Sequence, residues 1–227
     1  AFQMASYPVT NAEYACFVAA GGYRDERWWQ TEDARRWLRG EIANEGAIQN
    51  NRHWRKRFLT EDGLFQRMDE EGAFTSEEVS ERWKRWLSFD EASFEAELAE
   101  RWKGLPQTEP AFWHNERLNG PTQPVVGVCW YEARAYAAWL SAQTGAAYRL
   151  PTEVEWEAAA RGLEARAYVW GDEFFPAKGN TFETRLRRSS PVGVFVEGDV
   201  PTGLCDLSGN VYEWTGSVFG EIESVDD

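Results

Sequence analysis

Histidine, methionine and cysteine are scarce in this chain of 227 residues, which has two His, two Met and three Cys. His53 and His114 are the whole imidazole complement and show no ligand spacing. A transition-metal centre or a His-based nucleophilic triad is therefore hard to build. Cys16, Cys129 and Cys205 are widely separated and odd in number. They supply neither a disulfide framework nor a C-x-x-C pair, and read as three isolated thiols. Long apolar runs are also missing: the stretch 123–128 is typical of the longest, against the ~20 residues a membrane helix needs. The N-terminus lacks a basic-then-apolar leader. Together with the sparse cysteine, this predicts a cytoplasmic protein with no membrane partner. Basic residues are in deficit, 24 against 38 acidic ones, for a net charge of −14. Such a surface repels phosphate backbones, so nucleic acid is excluded as a general partner, while divalent cations are favoured.

Aromatic residues are abundant, at 15% with 13 Trp, which excludes a disordered chain and supplies a core. A short strand near residues 2–7 is expected to lead into a helix opened by Thr10 and Glu13, which have capping-box form, and stopped by Gly21 and Gly22. Residues 24–116 differ in texture, being dense in charge and Trp. The stretch Thr75-Ser76-Glu77-Glu78 starts a helix with Val79, Trp83, Trp86 and Leu87 on one face. Asp90 opens another with Phe94, Leu98 and Trp102 at helical spacing. This stretch reads as a helical, Trp-rich insertion whose aromatic stripe serves as core and docking surface. Further on, a strand is expected at 124–128 and a helix at 131–143. Thr152 and Glu155 form a second capping box, closed by Gly162. Brief strand-like pieces follow near 168–171, 180–182, 191–195 and 211–214, between Gly, Pro, Asn and Asp breaks. Trp170 and Trp214 are expected in the core. A fold held by loops of this kind would gain from a bound cation.

The ordered blocks carry a resemblance. Tyr7-Pro8-Val9-Thr10-Asn11-Ala12-Glu13-Tyr14 is followed by Gln123-Pro124-Val125-Val126-Gly127-Val128-Cys129-Trp130-Tyr131-Glu132-Ala133. Next come Arg149-Leu150-Pro151-Thr152-Glu153-Val154-Glu155-Trp156-Glu157 and Tyr168-Val169-Trp170-Gly171. Gly179-Asn180-Thr181, Ser190-Pro191-Val192-Gly193 and Gly209-Asn210-Val211-Tyr212-Glu213-Trp214-Thr215 complete the order. Together they resemble the formylglycine-generating enzyme, or sulfatase-modifying factor, family. The resemblance implies an α+β fold of the C-type lectin-like kind, with short irregular strands, a few helices and here a helical insertion. It implies a single domain over 1–227, lacking the family's expected C-terminal part and interrupted by the insertion at 24–116.

The family's founding members oxidise a client cysteine to formylglycine with oxygen and copper held by a cysteine pair. No cysteine here stands at those positions, so no catalytic residue is assigned, and copper enters only if such a pair follows Asp227. The acidic stretch 221–227 reads either as a terminus or as the lip of a longer loop. The related sulfur-transfer chemistry of ergothioneine synthesis needs a three-histidine iron site that two histidines do not provide. Calcium is the cofactor the resemblance implies. Asp206 and Glu213 match one family site as side-chain ligands, and Gly209 and Val211 match it as carbonyl ligands. Asn180 and Thr181 match the start of a second site, whose remaining loop here is the basic Arg185, Leu186, Arg187, Arg188, with Glu183 as a substitute ligand.

The expected function is a non-catalytic ligand-binding or display module, such as a sensor domain or a variable protein of a diversity-generating retroelement, with a protein ligand or client. The ligand-binding residues are not legible. The alternative is the formylglycine-generating oxidase. A sugar-binding lectin is disfavoured, because the Glu-Pro-Asn and Gln-Pro-Asp loops that such lectins use are missing.

Overall fold

The computed structural model describes residues 2–218, and the stretch 221–227 lies outside them. The chain divides into two compact units. One joins the residues up to Glu32 to those from Thr108 onward, and the other is Asp33–Gln107. The second unit is shorter at both ends than the expected 24–116.

In the first unit, helix α1 (Asn11–Ala19) begins at the expected capping box. Thr10 accepts the Glu13 N–H while the Glu13 carboxylate accepts the Thr10 N–H, which satisfies two otherwise orphaned donors. Helix α7 (Trp130–Thr144) ends at Gly145 in the left-handed conformation, where a residue without Cβ is unstrained. Helix α8 (Glu153–Arg161) starts at the second capping box, Thr152 and Glu155. Its Glu155 carboxyl is held down at about 2, chiefly by hydrogen bonds from Arg149. The apolar face of α1 meets α7 through rings: Tyr14 stacks on Tyr136 at 5.2 Å between centroids, and Phe17 lies 5.7 Å from Trp139. Tyr14 and Phe17 are almost wholly buried, and each such side chain contributes about 1.5–3 kcal/mol by leaving water. Trp29, fully buried, donates its indole N–H to the Gly22 carbonyl. Trp29 also meets the Tyr23 ring at 5.5 Å between centroids. A second cluster, Ala160, Val169, Val200 and Leu207, packs with Trp156 and Trp170 under the loops that follow α8.

The second unit is helical: α2 (Glu32–Leu38, which starts one residue ahead of it), α3 (Glu45–Thr60), α4 (Leu64–Glu70), α5 (Glu77–Leu87) and α6 (Glu91–Arg101). Ser76 and Asp90 cap α5 and α6 as their sequence positions predict. Ile48, Phe65, Trp83, Trp86, Phe94 and Leu98 form its core. Here Trp83, Trp86 and Phe94 meet edge to face. Arg55 is buried within it, donating to the Trp86 and Phe89 carbonyls and to Glu91.

The expected strands do not form. Among the described residues there is no β-ladder, only two isolated bridges, Thr10 with Pro124 and Tyr168 with Gly171. The helical part of the α+β expectation is found, and its strand part is reduced to these two bridges between ordered loops. The physical reason lies in where the backbone donors go. The extended pieces make few backbone bonds: Val125 N–H to Val9 and Asn11 N–H to Gln123 make up the Thr10–Pro124 bridge, while Val192 N–H bonds to Thr122 and Cys205 N–H to Ser6. Residues 180–184 and 195–198 contract into 3-10 turns at Phe182–Thr184 and Val196–Gly198. Residues 211–218 keep the two-residue alternation of a strand. Val211, Glu213, Thr215 and Ser217 are partly buried, while Tyr212, Trp214 and Val218 are exposed. Trp214 is therefore not core. It falls on the outer side of that alternation, half exposed, with its indole N–H on the Val128 carbonyl at 2.9 Å. Among the described residues no helix is long and apolar enough to cross a membrane.

Candidate functional site

The loops after α8 in the first unit bring the sequence-predicted residues into one neighbourhood. The turn at 206–210 is unusual in its backbone. Asp206 and Asn210 sit in the left-handed region at φ 62° and 65°, and Gly209 lies between them at φ 117°. A Cβ on Gly209 would come within 2.8 Å of the Asn180 carbonyl oxygen, so this position needs glycine on both grounds. The close approach lets the Asn210 N–H donate to the Asn180 carbonyl at 2.8 Å. The Asn210 carboxamide completes the clamp, accepting the Ser190 N–H at 2.9 Å and the Asn180 amide at 3.3 Å.

Two carboxylates face inward from this turn and the segment after it. Asp206 is buried and accepts the Gly193 N–H at 2.8 Å. Glu213 accepts the Trp156 indole N–H at 2.8 Å. Both carboxyls are pushed up, in each case mainly by burial. The charge of Asp199 adds to the effect at Asp206, and the charge of Asp206 adds to it at Glu213. The charge of Asp206 disfavours ionisation of Glu213 in a desolvated place, and carboxylate oxygens so placed are of the kind a hard cation would neutralise. The carbonyls of Gly209 and Val211 belong to the same turn, that of Gly209 also accepting the Val211 N–H. Among the described residues no three His, Cys, Asp or Glu side chains gather as a metal cluster.

Asn180 and Thr181 stand close to this turn but spend their oxygens elsewhere. The Asn180 side-chain oxygen accepts the Thr184 hydroxyl, its amide donates to the Arg188 carbonyl, and the Thr181 carbonyl accepts the Thr184 hydroxyl at 2.7 Å. Glu183 accepts the Thr181 hydroxyl. Arg185, Arg187 and Arg188 belong to the same loop. A cavity of about 360 Å3 opens beside Asn180, Thr181, Asn210 and Val211.

The thiols are separate and unpaired with one another. Cys16 is exposed, Cys129 is half-buried and Cys205 is buried. Burial and then the charge of Glu132 push the Cys129 thiol well up, and burial pushes Cys205 up to about 11. A reactive thiol needs the opposite shift.

Sequence reasoning missed one buried network. Glu132 accepts the Tyr23 hydroxyl and the Cys129 N–H, and the Tyr23 and Tyr14 hydroxyls are 3.1 Å apart. Burial raises the Glu132 carboxyl to about 7. Its signal was the Cys129-x-x-Glu132 spacing of a capping box. The tyrosine partners lie over a hundred residues away in sequence. Trp156 and Gly193, 57 and 13 residues from the acids they bond, were likewise outside any local pattern.

The sulfatase-modifying factor enzyme 1-like domain family matches residues 1–225. A hercynine oxygenase of Mycolicibacterium thermoresistibile is 30% identical over 221 residues, covering 96% of this chain and 36% of that protein. The inactive C-alpha-formylglycine-generating enzyme 2 of Bos taurus is 39% identical over 130 residues, covering 49% and 40%. The formylglycine-generating enzyme of Streptomyces coelicolor is 40% identical over 129 residues, covering 52% and 39%. The chain thus spans well under half the length of these relatives.

Proposed function

Because this chain belongs to the sulfatase-modifying factor enzyme 1-like family, we propose that it uses that family's scaffold as a non-catalytic ligand-binding or display module, with a protein ligand or client. The observation that carries this reading is the likeness to a relative named as inactive. Cys129 and Cys205 are isolated thiols whose pKa values burial raises, and neither stands at the copper positions that the family resemblance implies.

The scaffold is braced, in this reading, by one calcium ion. Asp206 and Glu213 would supply carboxylate oxygens, and Gly209 and Val211 carbonyl oxygens. Bound calcium would neutralise two buried acids and lock the turn at 206–210, and it would take part in no reaction. The lectin-like ancestry of the fold belongs to the same reading, supported by the strand-like alternation at 211–218. The exposed Tyr212 and Trp214 of that segment suit a surface offered to a partner.

One other reading has a specific observation behind it: the likeness to hercynine oxygenase extends over 96% of the chain. There the chain would be the part of an oxygenase that shapes the substrate side, with metal ligands from outside these residues. His53 and His114 belong to different compact units. Copper belongs only to the formylglycine-generating alternative.

The test is direct. The protein is incubated with copper, oxygen and a sulfatase-derived cysteine peptide, and separately with iron, oxygen, a thiol and hercynine. Both mixtures are followed by mass spectrometry. Unchanged substrates are expected. Formylglycine in the peptide, or a sulfur adduct of hercynine, overturns the non-catalytic reading.

A further inference from the structure

Among the described residues, three buried side-chain atoms lack a hydrogen-bond partner: Arg82 Nε, Trp86 Nε1 and Trp102 Nε1. All three are donors, and all lie on α5 or at the end of α6. Buried polar groups are nearly always bonded, so unmet donors gathered on one helix pair call for an acceptor. Acceptors are not scarce in a chain with 38 acidic residues, yet none is placed here.

The helix pair brings two of these donors together with a second cation. Arg85 of α5 donates to Glu97 of α6 at 3.0 Å, which ties the helices side by side. One turn back from that tie stands Arg82, and one turn on stands Arg101, followed at once by Trp102. Burial, and then the charge of Arg101, pull the Arg82 guanidinium down from its usual value. Arg82 meets one acid among the described residues, Glu78, at 3.8 Å from Nη1, and its Nε stays unmet. Arg101 is exposed and has no ion-pair partner among the described residues. A cavity of about 470 Å3 opens here, lined by Glu97, Glu100, Arg101 and Trp102. Its two acids are taken, Glu97 by Arg85 and Glu100 by Lys103. The deeper Trp86 meets the Trp83 and Phe94 rings edge to face and takes no part in the cavity.

Two guanidinium groups whose charges oppose each other, one of them desolvated, are neutralised by an anion between them. A guanidinium matches the oxygens of a carboxylate or phosphate in shape and charge, and an indole N–H adds a neutral donor to the same oxygens. We propose that this end of the α5–α6 pair is a site for a small oxyanion, a carboxylate or phosphate, held by Arg101 and Arg82 and accepting the Trp102 indole N–H. The site lies wholly within the second unit and goes beyond the scaffold reading of the first.

The whole protein, labelled with 15N, is titrated with sodium phosphate and with sodium benzoate, and with benzylamine hydrochloride as the cationic control. The indole N–H resonance of Trp102 is assigned by its loss in W102F. At least one anion is expected to move that resonance downfield in a saturable way, and benzylamine to leave it in place. The anion that saturates at the lower concentration tells phosphate from carboxylate. Calorimetry is expected to give one site that weakens as salt rises. R101Q changes an exposed residue without an ion pair, and is expected to melt with the parent and to bind about tenfold more weakly. If R101Q melts early, W102F must show the weakening in its place. An unmoved Trp102 resonance with both anions, an equal shift with benzylamine, or parent-like affinity in R101Q overturns the proposal.

Discussion

Glu132 makes a stability prediction that can be worked through. Its carboxyl is buried at the start of α7 among the Tyr23 and Tyr14 hydroxyls and the Cys129 thiol and amide. Burial raises it from 4.5 to about 7. The folded chain therefore holds this proton more tightly than the unfolded chain between those two values. Stability must then fall as pH rises through that window, because the native state binds more protons there. Moving the carboxyl from 4.5 to about 7 corresponds to about 3 kcal/mol of stability, fully present below pH 4.5 and lost by about pH 8. The perturbation is Glu132→Gln. Glutamine keeps its one oxygen for the Cys129 N–H and turns its amide donor toward the Tyr23 hydroxyl, which can accept it; it is an accepted capping-box residue and cannot ionise. Melting temperatures of parent and variant are compared at pH 5 and pH 8. Other raised acids, Asp206 and Glu213, act on both proteins alike and cancel in the comparison. The parent is expected to lose about 6–12 °C more than the variant between the two pH values, at roughly 2–4 °C per kcal/mol for a chain of this size. Parallel pH profiles would refute the reasoning.

Three further outcomes follow from packing and exposure. Gly209→Ala places a Cβ 2.8 Å from the Asn180 oxygen at φ 117°, and is expected to cost about 1–3 kcal/mol in a urea titration; a neutral result would mean that the turn at 206–210 is not as tight as described. Arg55→Ala strips three donor contacts from a buried site in the second unit, and should lower stability by about 2–3 kcal/mol, read as an earlier change in Trp fluorescence. Alkylation with iodoacetamide at neutral pH should label the exposed Cys16 first, with Cys129 and Cys205 modified only slowly; fast labelling of either would contradict their raised pKa values.

The helices were legible in the sequence because their signals are local. Thr10 with Glu13, Ser76, Asp90, and Thr152 with Glu155 each announce a start within four residues, and the structure places caps at all of them. The aromatic stripe of α5 and α6 was legible for the same reason. The strands were misread because alternation at 211–214 or 124–128 reports which side chains turn inward, and says nothing of a partner to accept the backbone bonds. Trp214 shows the cost: its residue type argues for the core, but its phase in the alternation places it outside. In the candidate site, the spacing from Asp206 to Glu213 was readable. Its partners Gly193 and Trp156, and the Tyr23 contact of Glu132, depend on contacts that no local pattern encodes. The residues 24–32 were assigned to the insertion by composition, whereas Trp29 is fully buried and bonds back to Gly22.

The account's central claim is a scaffold braced by calcium at Asp206 and Glu213, and thermal melting tests it most directly. The protein is melted after chelation, then with calcium restored at about a hundredfold over its dissociation constant. The Glu213→Gln variant is run alongside. Calcium is expected to stabilise the parent by about 2.7 kcal/mol, which is about 5–10 °C, and the variant much less. Superimposable melting curves for the parent with and without calcium would contradict the claim.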